Sequence, residues 1–196
     1  MTASHSADPL DQFREWFAEA EKREPGDANA MTVATAGPDG RPSARMVLLK
    51  GLDARGFVFY TNLGSRKSRE LAANPYASLL FHWKSMEQQV RIEGPAESVT
   101  DAEADDYFAT RNRLSQIGAW ASKQSQPLQG RFALERRVAW FAAKFHVGQI
   151  PRPDFWSGFR VIPERIEFWQ AEEYRLHNRL VYSRSGDGWK TETLYP

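Results

Sequence analysis

Ala30-Met31-Thr32-Val33-Ala34-Thr35-Ala36, then Gly37-Pro38-Asp39-Gly40, then Ser43-Ala44-Arg45-Met46-Val47-Leu48-Leu49 is the stretch that decides the fold class. Two runs of apolar and β-branched residues flank four turn formers, which predicts a pair of antiparallel strands. A second turn, Asp53-Ala54-Arg55-Gly56, leads into a third run, Phe57 to Thr61. Three strands with short turns predict an antiparallel meander.

Working outward, Asp8 to about Lys22 has helical spacing, with Asp8 as cap, Pro9 in the first turn and Leu10, Phe13, Trp16 and Phe17 on one face. Glu24-Pro25-Gly26-Asp27 ends it. A short helix is expected after Gly64-Ser65 up to Ala73, stopped by Asn74-Pro75. Ala77 to Trp83 and Gln88 to Val99 read as strands. Asp101 to Thr110 reads as a helix, with Thr100 and Glu103 in capping-box spacing. Arg131 to Phe145 reads as a longer helix, and Phe159 to Gln170, Arg179 to Arg184 and Trp189 to Leu194 as closing strands. Strands dominate, helices are inserted between them, and no βαβ rhythm occurs. The expected fold is mainly β with peripheral helices, an antiparallel barrel rather than a doubly wound sheet. Residues 1–7 are expected to be a flexible tail and residues 8–196 one domain.

Composition narrows the chemistry. The chain has 196 residues, a net charge of +1 and no cysteine. Thiolate catalysis, disulfides and zinc–sulfur sites are excluded, and the absence fits a reducing cytoplasm. No apolar run approaches the ~18–20 residues of a membrane helix, and the N-terminus lacks a signal-peptide pattern. No membrane and no nucleic-acid partner are expected. Seven Trp are many for this length, and flat rings suit a core, an interface or a planar ligand. The four histidines (His5, His82, His146, His177) show no metal-ligand spacing, so no metal is expected. There is no nucleophile elbow and no paired-carboxylate arrangement.

Several basic constellations remain. In an extended chain Arg175, His177 and Arg179 project from one face and repel one another unless an anion or a ring relieves them. On spacing alone a solvated edge strand accounts for them equally well. Thr61-Asn62-Leu63-Gly64-Ser65-Arg66-Lys67-Ser68 sets two cations and several hydroxyls at a helix start, a plausible phosphate cradle or an ordinary capped helix. Arg45 and Lys50 flank an apolar strand expected to be central, where their odd separation sends them to opposite faces unless they snorkel from its ends. Tyr107 and Arg111 stand four apart on a helical face near Ser115 and could hold a second phosphate, or face solvent. Several candidate anion sites without a nucleophile suggest that a cofactor does the chemistry.

Arg45-Met46-Val47-Leu48-Leu49-Lys50, Phe59-Tyr60-Thr61-Asn62, Gly64-Ser65-Arg66-Lys67, Gln116-Ile117-Gly118-Ala119-Trp120, Ser122-Lys123-Gln124-Ser125, Phe155-Trp156-Ser157-Gly158-Phe159-Arg160, Glu167-Phe168-Trp169-Gln170 and Arg175-Leu176-His177 occur in one order. Together they resemble the pyridoxine/pyridoxamine 5′-phosphate oxidase family, over nearly the whole chain. The resemblance implies an FMN-binding split β-barrel, a cytoplasmic homodimer with FMN at the subunit interface. It implies Arg45, Met46, Val47, Leu48, Lys50, Tyr60, Thr61, Arg66, Lys67, Gln89, Gln124, Ser125, Trp169 and Arg179 as FMN contacts. It implies Lys50, Tyr107, Arg111 and Ser115 on the substrate phosphate, and Arg175 and His177 as catalytic residues beside the substrate ring. The reaction implied is two-electron oxidation of pyridoxamine or pyridoxine 5′-phosphate to the aldehyde, with dioxygen as acceptor and hydrogen peroxide as product. The chain departs from the family pattern at Ala171-Glu172-Glu173, where Gly is usual, at Asn178, where Asp is usual, and at Tyr195. A related phenazine-biosynthesis oxidase or a non-catalytic flavin- or heme-binding barrel shares the fold. The phosphate-type set Tyr107, Arg111 and Ser115 speaks against the first, and the intact Arg175 and His177 against the second.

Overall fold

The computed structural model describes residues 6–196. The Asp8 carboxylate accepts the Leu10 N–H at 2.8 Å, so the first helix, α1 (Pro9–Arg23), starts at the proline. Then come β1 (Ala30–Ala36), β2 (Pro42–Leu48), β3 (Gly51–Asp53), β4 (Gly56–Asn62), α2 (Arg66–Ala73), β5 (Tyr76–Trp83) and β6 (Gln88–Ser98). Three helices follow, α3 (Asp101–Thr110), α4 (Arg113–Ala121) and α5 (Ala133–Lys144), and then β7 (Trp156–Val161), β8 (Arg165–Gln170), β9 (Asn178–Ser185) and β10 (Gly188–Thr193). Of the tail expected over residues 1–7, residues 1–5 lie outside the described residues. The Ser6 carbonyl accepts the Tyr182 hydroxyl at 2.8 Å.

All strand pairs are antiparallel, and the main path runs β10-β9-β8-β6-β5-β1-β2. β6 is the hinge of the barrel. Gln88 to Glu93 pair with β8, and Ala96 to Ser98 pair with β7, which itself pairs with β4. Between the two halves sits Gly94, where any Cβ would collide with the Ile162 carbonyl oxygen. The sheet can curl at this point because no side chain is there.

The core lies inside the curl. Phe13 of α1 is fully buried, edge-on to Phe57 (4.9 Å) and Phe81 (5.0 Å). Around it pack Met31, Val33, Phe59, Leu79, Trp83, Val90, Ile92, Ile166 and Phe168. A second cluster of Phe108, Ile117, Phe141, Ile150 and Trp156 seats α3, α4 and α5 against the sheet.

The barrel, the turn at Gly37–Gly40 and the capping box at Thr100 agree with the sequence reading. Four expectations are corrected. The meander breaks after β2: β4 pairs with β3 and β7, and the second neighbour of β1 is β5. β2 is an edge strand rather than a central one, with Met46 62% and Leu48 37% exposed, so its apolar residues do not reflect burial within one chain. The single strand expected over Phe159 to Gln170 is two, because Ile162-Pro163-Glu164 turns the corner and proline cannot donate to a ladder. The α4 helix was missed, since Gly118 and Trp120 obscure its pattern, although Asn112 caps it by accepting the Ser115 N–H at 2.8 Å.

Candidate active site

β2, β4, α3, α4 and the start of β7 enclose a cleft of about 460 Å³. Eleven of the anticipated residues line it: Met46, Val47, Leu48, Lys50, Tyr60, Thr61, Lys67, Tyr107, Arg111, Ser115 and Gln124. Lys50 does not extend β2. The chain leaves the strand at Leu48 and crosses over, and the Lys50 N–H donates to the Val58 carbonyl at 2.8 Å. The parity argument separating Arg45 from Lys50 therefore fails, because the two belong to different ladders.

One corner of the cleft carries a buried cation. Ser65 caps α2, accepting the Ser68 N–H, which leaves Arg66 and Lys67 in the first turn. Lys67 is buried, and its Nζ donates to Thr61 Oγ1 at 2.9 Å and Ser65 Oγ at 3.4 Å. Thr61 Oγ1 in turn donates to Gln124 Oε1 at 3.3 Å. No carboxylate pairs with Lys67 among the described residues. Burial, and then the charge of Arg45, push its pKa down to about 8. A buried cation without a counter-charge is costly, and an anion in this corner would remove that cost.

Glu70 organises the two arginines beside it. Its carboxylate accepts from Arg66 Nε at 2.8 Å, from Thr35 and Ser43 hydroxyls at 2.6 Å each, and lies 3.3 Å from Arg45 Nη2. Burial raises its pKa, but the bonds from Ser43, Thr35, Arg66 and Arg45 outweigh this and hold it at about 2. Ser125, at φ +68°, accepts the Arg66 N–H at 3.2 Å. Arg45, Arg66 and Ser125 thus stand at the margin of the cleft, one residue away from its lining.

The cleft is also lined by three parallel rings. Tyr60 stacks on Tyr107 at 4.1 Å and on Trp156 at 5.4 Å. Gly158 faces Tyr60 across the β4–β7 ladder, and a Cβ there would meet the ring at 2.8 Å. The Arg111 guanidinium lies 4.8 Å above Trp156. Arg111 is the C-cap of α3, with ψ 144°, so it does not share a helical face with Tyr107. The two meet because the chain turns there. Arg111 Nη1 is buried without a hydrogen-bond partner among the described residues, and burial pushes the guanidinium pKa down. A buried donor without a partner is costly, and an acceptor on a ligand in the cleft would satisfy this one.

The remaining anticipated residues form a second group that does not line the cleft. Gln89, Trp169 and Arg179 are cross-strand partners in one row over β6, β8 and β9. Arg179 Nε donates to the buried Glu167 at 2.8 Å. His177 packs its ring on Trp169 at 4.6 Å. The extended strand expected to align Arg175, His177 and Arg179 is not present. Glu173–Arg175 is a tight turn, Tyr174 and Arg175 have φ of +58° and +63°, and only Arg179 lies in β9. On the sheet path β6, β5 and β1 lie between β8 and β2.

Sequence reasoning missed Asn62, Gly118, Ala119, Ser122 and Trp156 of the lining, and Glu70 behind it. Trp156 lines the cleft, and its signal was the Pro153 to Gly158 loop opening onto a strand. Glu70 was visible as the i,i+4 partner of Arg66.

Residues 15–145 match the family model "Pyridoxamine 5'-phosphate oxidase", and residues 156–196 match "Pyridoxine 5'-phosphate oxidase C-terminal dimerisation region". The chain belongs to the pyridoxamine 5′-phosphate oxidase family. It is 60% identical over 201 residues to a pyridoxine/pyridoxamine 5′-phosphate oxidase of Rhodospirillum rubrum, covering 100% of both chains. It is 62% identical to the one of Gluconobacter oxydans, covering 97% of this chain and 95% of that one. Among solved structures it is similar to PhzG of Burkholderia lata, in complex with tetrahydrophenazine-1-carboxylic acid. The TM-score is 0.91 at 36% identity, covering 97% of this chain and 94% of PhzG. An FMN-binding protein of Nostoc punctiforme shares the fold, at a TM-score of 0.75 and 18% identity. In this family member the second group of anticipated residues lies mostly within the matched dimerisation region: Trp169, Arg175, His177 and Arg179. No helix among the described residues is long and apolar enough to cross a membrane.

Proposed function

We propose that the protein is a cytoplasmic FMN-dependent oxidase that converts pyridoxamine 5′-phosphate and pyridoxine 5′-phosphate to pyridoxal 5′-phosphate, using dioxygen and releasing hydrogen peroxide. The observation that carries this reading is one cleft lined by two cations, Lys67 and Arg111, neither of which pairs with a carboxylate among the described residues. Two phosphorylated molecules, cofactor and substrate, fit such a cleft. Lys67 and Arg66 would hold the FMN phosphate, with Arg45 beside them and Thr61, Gln124 and Ser125 completing the wall. Met46, Val47, Leu48, Lys50 and Tyr60 would contact the rest of the flavin. Arg111, Tyr107, Ser115 and Lys50 would hold the substrate phosphate.

Bound there, FMN supplies the two-electron acceptor that dioxygen reoxidises. The protein's own work is positional: it neutralises two phosphates, keeps the rings in register and excludes water. We place FMN at the interface of a homodimer, where Gln89, Trp169, Arg175, His177 and Arg179 of the second subunit complete the site. The absence of these residues from the cleft of their own chain supports that arrangement.

Peroxide release on adding pyridoxamine phosphate to flavin-loaded protein tests the reading. No release with either phosphorylated vitamer overturns it. Replacing Arg111 by Ala removes one charge-assisted contact to the substrate phosphate. It is expected to raise KM by about ten- to a hundredfold, the worth of roughly 1.5–3 kcal/mol. An unchanged KM for pyridoxamine phosphate would remove Arg111 from the phosphate site. It would also leave open the phenazine-type reading that the likeness to PhzG suggests.

A further inference from the structure

The connection between β8 and β9 carries Arg175 and His177 on an unusual backbone. Tyr174 and Arg175 are consecutive non-glycine residues in the left-handed region, at φ +58° and +63°. Such a turn persists only where its surroundings hold it. Two contacts close the neck of this loop. The Glu172 backbone N–H donates to His177 Nδ1 at 3.2 Å, and Asn178 Nδ2 donates to Glu172 Oε1 at 2.9 Å. Gln170 and Asn178, the final pair of the β8–β9 ladder, fix the base.

We propose that Glu172 and Asn178 form a latch that positions His177 and sets its tautomer. An imidazole whose Nδ1 accepts an amide N–H carries its proton, when neutral, on Nε2. Nε2–H is then the group His177 can offer, a donor suited to an anionic oxygen. That the oxygen is the phenolic one of the B6 ring rests on the function proposed above; the tautomer does not. The latch needs a donor at 178 and an acceptor at 172. Asp at 178 would set two carboxylates against each other and release the neck. Both residues are exposed, so losing their bond changes global stability little. The effect falls on how His177 is held.

The test uses the flavin-loaded full chain. Nitrogen-15 spectra of the imidazoles, with His177→Asn serving only to assign the signal, report the tautomer directly. Nε2–H is expected in the native protein, and Nδ1–H as the main tautomer overturns the latch. Asn178→Asp is expected to shift the tautomer population and lower kcat with pyridoxamine phosphate by about tenfold, the worth of one hydrogen bond. KM, flavin content and melting temperature are expected to stay within error. The double variant Glu172→Gln/Asn178→Asp rebuilds the bond with donor and acceptor exchanged, and is expected to recover kcat and tautomer together. A normal kcat in Asn178→Asp, or no recovery in the double variant, refutes the proposal. If the native protein oxidises neither vitamer, the proposed function fails, while the nitrogen spectra still decide the latch.

Discussion

Replacing Arg175 by Ala is expected to leave the flavin bound and to lower turnover by about a hundredfold or more, the scale on which a lost transition-state donor is felt. The side chain makes no hydrogen bond or ion pair among the described residues, and it sits on an exposed turn. Its removal therefore costs the folded chain little, and a loss of activity cannot be ascribed to unfolding. If kcat and kcat/KM fall together, the guanidinium acts only as the reaction proceeds. If KM alone rises, it serves ordinary binding. Arg175→Lys is expected to rescue poorly, because an ammonium lacks the flat fork that can lie over a ring. Flavin absorbance of the purified variant, beside its peroxide release, checks both halves, and normal turnover excludes Arg175 from the site.

The second large effect is on the cofactor. Lys67→Met keeps the packed stem and removes the charge. The FMN dissociation constant is expected to rise by about 30-fold to several thousandfold, corresponding to roughly 2–5 kcal/mol for one partner of a buried charge pair. The pH dependence follows from the same residue. Without flavin its pKa stands at about 8, and a phosphate dianion beside it raises that value. The charge is present below pH 8, so affinity is full there and falls as pH rises through it. On the acid side the phosphate takes up its second proton near ~6 and affinity falls again. Fluorescence titration of FMN across pH should show both limbs in the native chain and lose the alkaline one in Lys67→Met. A titration in which that variant keeps the alkaline limb would remove Lys67 from the phosphate corner.

Much of this cleft is legible in the sequence, and for a definable reason. The corner around Lys67 is local in sequence: Thr61 to Ser68 is strand end, turn and helix start, so adjacent residues become adjacent contacts. Tyr107, Arg111 and Ser115 are nearly as local. The geometry of Arg175 to Arg179 was illegible, because period-two spacing assumes an extended chain. Two left-handed residues void that assumption without a glycine to announce them. At Asn178, where Asp is usual, the side-chain amide donates to the Glu172 carboxylate, a contact the sequence alone does not show. The edge position of β2 was also hidden. Its apolar face reads as central, and only the pairing of β4 with β7 shows that β2 ends the sheet.

The division of the anticipated residues into two groups has a genetic consequence. On the proposed dimer each catalytic centre takes Arg111 from one chain and Arg175 from the other. A chain lacking Arg111, with its raised KM, and a chain lacking Arg175, with its lowered turnover, are each impaired alone at low substrate. Mixed in one cell, they form heterodimers in which one centre collects both defects and the other collects none. Two such alleles of this gene would therefore complement each other, restoring up to about a quarter of normal activity if subunits pair at random. Complementation would fail if both residues served the cleft of their own chain.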